Sequence, residues 1–98
     1  MKKNEYDYDQ MLYKLHHLQA LYKVGFRYIA RNESGELRAY TDKPHKELNF
    51  WFNGKHGISH VQTLDPDWFE ELTWQDDKPV KLKSVIDEIK EMLKPKGN

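Results

Sequence analysis

The chain has no cysteine, which excludes a disulfide framework and any thiolate-ligated metal centre. That absence fits a reducing cytoplasm. Glycine and proline are sparse, at five and four of 98 residues, and no glycine-rich loop is available to cradle a phosphate. No stretch approaches the roughly 20 apolar residues of a membrane span. The opening MKKNEYDYDQ carries two lysines with no apolar run behind them, so it does not read as a signal peptide. Net charge is zero, so the basic excess of a strong non-specific nucleic-acid binder is missing. There is no internal repeat and no low-complexity tract. Nothing in the sequence calls for a cofactor.

Aromatic residues are plentiful: three Trp, six Tyr and four Phe. Each buries roughly 150–250 Å² when enclosed, and a chain of this length has room for one core that depends on a few large side chains. The charge that cancels overall is unevenly placed. From Val61 to Asp77 there are six acids and no Lys or Arg, whereas the tail from Lys78 has six lysines against three acids.

Periodicity predicts a single α+β domain with an N-terminal helix, a three- to four-stranded antiparallel meander and a C-terminal helix. Tyr8, Met11, Leu12, Leu15, Leu18 and Tyr22 recur at spacings of three and four, which predicts one buried helix face within residues 7–24. Asp7 or Asp9 would cap its start, and Gly25 would end it. Tyr13, His17, Ala20 and Val24 form a weaker second stripe. It reads as partly covered surface, or as the contact of a homodimer if the chain is not a monomer.

Strands are expected between residues 25 and 64. Phe26, Tyr28 and Ala30 alternate with Arg27, Ile29 and Arg31, the pattern of a half-buried strand. A turn centred on Ser34-Gly35 leads into Leu37–Thr41, and Asp42-Lys43-Pro44 ends that strand. Leu48–Phe52 reads as a third strand, with Leu48, Phe50 and Phe52 on one face and Trp51 on the other. Asn53-Gly54 and Gly57 mark a turn before a fourth strand over Ile58–Leu64. Asp65-Pro66-Asp67 predicts a cap and one short helical turn through Glu70, followed by extended Leu72-Thr73-Trp74. Ser84 and Asp87 resemble a capping box for a helix over residues 84–94 that carries Val85, Ile86, Ile89, Met92 and Leu93.

Catalytic and metal-binding sets are weak. His56 and His60 have metal spacing only if they share a helical face, and Gly57 between them argues against it. His16 and His17 point about 100° apart on a helix and cannot share an ion. The acids of residues 65–77 lack the pocket that splits carboxylate pKa values, and no serine has nucleophile-elbow context. The chain therefore reads as a binding protein and not an enzyme, with no metal site. One candidate surface is acidic: Asp65, Asp67, Glu70, Glu71, Asp76 and Asp77 interleaved with Trp68, Phe69 and Trp74, able to steer the protein to a basic groove. In the competing reading the tryptophans are core and the acids a solvated rim. The alternative surface is basic: Arg27, Arg31 and Arg38, with Tyr40 and Trp51 as a platform for single-stranded bases. Lys43, Lys46 and Lys55 extend that surface, while Glu33, Glu36 and Glu47 interrupt it.

Gly25-Phe26-Arg27-Tyr28-Ile29-Ala30-Arg31, Gly35-Glu36-Leu37, Ala39-Tyr40 and Lys43-Pro44 resemble segments of small accessory proteins from phages and prophages of Gram-positive bacteria. Trp51, Leu72-Thr73-Trp74 and Asp77-Lys78-Pro79 are similar to the same group, so the resemblance spans about Tyr22 to Ile86. It implies a cytoplasmic protein that binds host or phage machinery, including restriction or CRISPR–Cas defence complexes. The acidic segment would then be the docking surface, with no membrane association.

Overall fold

The computed structural model describes residues 3–52 and 60–94. The order is α1 (Lys3–Lys23), β1 (Tyr28–Arg31), β2 (Leu37–Tyr40), β3 (His45–Lys46), β4 (Trp51–Phe52), β5 (Val61–Leu64), β6 (Val80–Lys81) and α2 (Leu82–Leu93). The class is the α+β arrangement that periodicity predicts: a helix, an antiparallel sheet of several strands and a second helix. The expected Asn53–Gly57 turn, His56, Lys55 and the first residues of the fourth strand lie outside the described residues.

Helix α1 starts earlier than the apolar stripe, because no Gly or Pro interrupts the polar residues before Tyr8. Asp7 and Asp9 therefore lie within the helix and do not cap it. Its end follows the expectation closely. The Phe26 amide donates to Leu21 O (3.0 Å) and the Gly25 amide to Tyr22 O (3.1 Å), the paired bonds of a Schellman cap. Gly25 has φ 120°, a conformation that costs glycine little and other residues more. Leu15 and Leu18 are buried and Met11, Leu21 and Tyr22 pack beside them, but Tyr8 is 51% exposed and leaves the stripe.

The main sheet has the order β5-β2-β1-β6 with every pair antiparallel. The β1–β2 turn centres one residue earlier than expected, on Glu33-Ser34. Gly35 N–H donates to Asn32 O and Asn32 N–H to Glu36 O, both at 2.9 Å. Gly35, at φ 97°, then supplies the left-handed third position of a three-residue hairpin loop. Strand β6 escapes periodicity because two residues carry no alternation.

Both faces of this sheet are covered, so β1 is not half-buried: Ile29 and Ala30 point to opposite sides and both are enclosed. On one face Ile29, Leu37, Ala39 and Leu64 join Leu15 and Leu18 of α1 and Leu82, Val85, Ile86 and Ile89 of α2. On the other, Ala30 and Tyr40 pack with Trp51, flanked by Tyr28 and Trp74.

The third strand departs most from expectation. Residues 45–52 fold as a separate two-stranded flap, β3 with β4, with Trp51 on its inward side. Trp51 is 3% exposed, whereas Leu48 is 94%, Phe52 49% and Phe50 37% exposed. Trp51 decides this by bonding as well as by size. Its amide donates to Asn32 Oδ1 (2.8 Å) and its indole Nε1 to Arg31 O (3.1 Å), so the flap is tied to the β1–β2 hairpin and Asn32 is a satisfied buried polar group.

Helix α2 begins at Leu82, with Lys81 as an N-cap that makes no side-chain cap bond. Ser84 is already inside the helix, so no capping box forms, and Asp87 pairs with Lys83 at 3.0 Å. Leu82 is fully buried, while Met92 is 57% exposed. No helix among the described residues is long and apolar enough to cross a membrane.

Candidate functional site

The acidic segment leaves β5 at Asp65 and forms a succession of turns: the expected short turn opens at Asp65, but Leu72-Thr73-Trp74 pairs as no strand. Asp65 Oδ1 accepts from the Asp67 amide (2.9 Å) and Asp65 O from the Trp68 amide (3.0 Å), as an aspartate opening a turn does. Phe69 adopts φ 54°, and Leu72 N–H closes on Phe69 O at 2.9 Å. A further turn follows, in which Thr73 N–H donates to Asp76 Oδ2 (3.0 Å) and Asp76 N–H to Thr73 O (3.2 Å).

Arg31 holds these turns to the sheet. Its Nε donates to Leu72 O (2.7 Å). Nη1 donates to Gly35 O (2.7 Å) and Pro66 O (3.0 Å), and Nη2 to Trp68 O (2.8 Å) and Phe69 O (3.1 Å). A guanidinium has five N–H donors, and here each has a carbonyl. The other fastening comes from α1. Trp68 receives Tyr13 and His17 edge-on, at centroid distances of 6.2 and 5.5 Å, and Lys14 Nζ lies 4.8 Å from the Phe69 ring centre. The second stripe of α1 thus finds part of its cover within the chain.

Pinning Trp68 and Phe69 inward turns the acids outward. Asp65, Asp67, Glu70, Glu71 and Asp77 are exposed, Asp76 is half-buried, and none of the six is in an ion pair among the described residues. Trp68, at 8% exposure, belongs to the core and is removed from the candidate contact set. Trp74 is half-buried against Trp51 (6.4 Å, edge-on), with Lys46 Nζ 4.4 Å from its ring centre. What remains is an acidic ridge on a fastened backbone.

The arginine surface is not assembled as a platform. The pairing Ala30↔Arg38 places Arg38 on the sheet face opposite Arg31 and Ile29, where it pairs with Glu36 at 2.7 Å. Tyr40 and Trp51 are enclosed and offer no ring to a base. Arg31 is committed to carbonyl oxygens, and Arg27 lies 4.0 Å from the Tyr22 ring centre. Burial pushes the Tyr40 hydroxyl up to about 12, the nearby Arg38 acting against that and Glu36 with it. That hydroxyl and Arg38 Nε are enclosed without hydrogen-bond partners among the described residues.

Sequence reasoning could not find Arg31's role, since a five-carbonyl site is made by backbone turns that no residue pattern announces. It also missed the exposed Leu48, Phe50 and Phe52 of the flap. Among the described residues no group of three or more His, Asp or Glu is placed to hold a metal ion. The Thr41 amide donates to His60 O (3.2 Å) and the His60 amide to Thr41 Oγ1 (3.0 Å), and His56 is outside the described residues.

Comparison with known proteins finds no family model, no curated protein and no solved structure that matches the chain.

Proposed function

We propose that the chain is a non-enzymatic, cytoplasmic accessory protein of the phage or prophage type that binds and modulates a protein of the host or phage. It docks through the acidic ridge of Asp65, Asp67, Glu70, Glu71, Asp76 and Asp77 onto a basic groove. A defence complex such as a CRISPR–Cas effector is the kind of target this suits, because its nucleic-acid channel is positively charged. The observation that carries the reading is the fastening of the ridge by Arg31. Five exposed carboxylates without ion partners among the described residues sit on a backbone that needs little further ordering, so association loses less conformational entropy. Complementary charge then speeds encounter and orients it. The sheet-face alternative has no comparable support, with Tyr40 and Trp51 inside and Arg31 engaged.

The test is affinity capture from a nuclease-treated Gram-positive host lysate with wild-type chain and with Asp67→Lys/Glu70→Lys/Glu71→Lys/Asp77→Lys. Asp65 and Asp76 are left intact because their carboxylates hold turns. A stoichiometric protein retained by the wild type and lost from the variant is the expected result. Equal retention by both removes the ridge as the docking surface.

A further inference from the structure

A second charged surface, of opposite sign, lies at the other end of the sheet. Where α1, the start of β1 and the start of α2 meet, an open cleft of about 450 Å³ is lined by Arg27, Lys43, Lys81 and Lys83, with Asp42 its one acid. This lies within the roughly 300–1,000 Å³ of small-molecule clefts. Tyr28, paired with Lys81 across β1 and β6, gives it an aromatic wall.

The cations are arranged unlike an ordinary solvated patch. Arg27 is fixed: Nη1 donates to Tyr22 O (2.7 Å) and Phe26 O (2.8 Å), and the guanidinium lies over the Tyr22 ring. Its Nη2 and Nε make no hydrogen bond among the described residues, so a guanidinium edge is presented in a set orientation. Lys43 and Lys81 are exposed and in no ion pair among the described residues, whereas Lys83 Nζ is shared with Asp87 at 3.0 Å, a surface pair that a phosphate would compete with. Lys81 and Lys83 also stand at the start of α2, whose first turn has no acid and whose N-cap has no side-chain bond. The helix dipole disfavours positive charge there. A chain that breaks a local rule at the mouth of a cleft gains if a ligand of opposite sign resolves the conflict.

We propose that this cleft binds a phosphate ester of nucleotide size, its phosphate between Arg27, Lys81 and Lys83. The arginine edge matches a phosphate in bidentate fashion, and a monoester carrying about −1.5 to −2 charge suits several cations better than a single carboxylate does. The shared chemistry has two sources, a free nucleotide or the phosphorylated end of a nucleic-acid strand. This is independent of the acidic ridge, which lies on another part of the molecule.

The test is an NMR titration of the full chain with 5′-AMP, with a 5′-phosphorylated single-stranded oligonucleotide, and with adenosine and glutamate as controls. Binding of either phosphate ester, moving Arg27, Tyr28 and Lys83 resonances and weakening with salt, supports the site. Equal affinities identify a free nucleotide, and a much tighter oligonucleotide identifies a strand end. Lys81→Glu separates binding from folding, because an acid at the N-cap favours the helix. It should lower affinity at least about tenfold, roughly one pKd unit, while leaving the unfolding midpoint equal or higher. No binding of either ester, equal binding of glutamate or adenosine, or unchanged affinity in Lys81→Glu overturns the proposal.

Discussion

Replacing Arg31 by Met tests the central mechanical claim, that one guanidinium fastens the acidic ridge. The substitution keeps a long apolar stem and removes five donors, four of them in part-buried bonds. A typical hydrogen bond contributes about 1 kcal/mol net, and more when the donor is charged. Part of that is recovered by water at the exposed Pro66 carbonyl, and the bonds are not independent. A loss of about 4 kcal/mol follows, a large part of the ~5–15 kcal/mol available to a small domain. With a urea slope of about 1–3 kcal/mol/M, the midpoint should fall by roughly 2 M. Arg31→Lys has three donors in place of five and should fall between variant and wild type. The assay is urea unfolding followed by tryptophan fluorescence, with hydrogen exchange at the Trp68 and Leu72 amides as the local readout. Those two amides should lose protection first. A midpoint unchanged from wild type, or unaltered protection at both amides, refutes the reasoning.

Two further substitutions probe the interior. Tyr40→Phe removes a buried hydroxyl that lacks a partner among the described residues, so stability at neutral pH should stay level or rise by about 1 kcal/mol in thermal unfolding. Because the folded-state pKa of Tyr40 is raised to about 12, its contribution is intact below the unfolded value near 10 and is lost as pH rises through about 12. The wild type should therefore weaken across that window by up to about 3 kcal/mol more than the Phe variant, measured by urea titrations at each pH. Leu82→Ala, at a fully buried position, should cost about 3–5 kcal/mol. Leu48→Ser, at 94% exposure, should change stability by less than about 0.5 kcal/mol. A large loss from Leu48→Ser would overturn the facing of the flap.

Much of the frame is legible in the sequence. The stripe of α1, the Gly25 stop, the β1–β2 hairpin and the apolar side of α2 follow from local geometry, because spacing and turn chemistry act within a few residues. The uneven charge of residues 61–77 was legible too, since it is a property of composition. Other features depended on partners far along the chain. Trp51 faces inward because Asn32 and the Arg31 carbonyl receive its amide and indole, and this leaves Leu48, Phe50 and Phe52 outward. Tyr40 and Ala30 are enclosed because that flap covers the second face of the sheet. Arg27, Arg31 and Arg38 look alike in the sequence, yet they become a helix-end stack, a carbonyl anchor and a surface ion pair. Period and composition determined which elements exist and where charge accumulates, because those depend on neighbours within a turn or two. Only the tertiary structure decided which acids stand on a fastened ridge, which aromatics are core and which cations share a cleft. Those outcomes depend on contacts between segments dozens of residues apart.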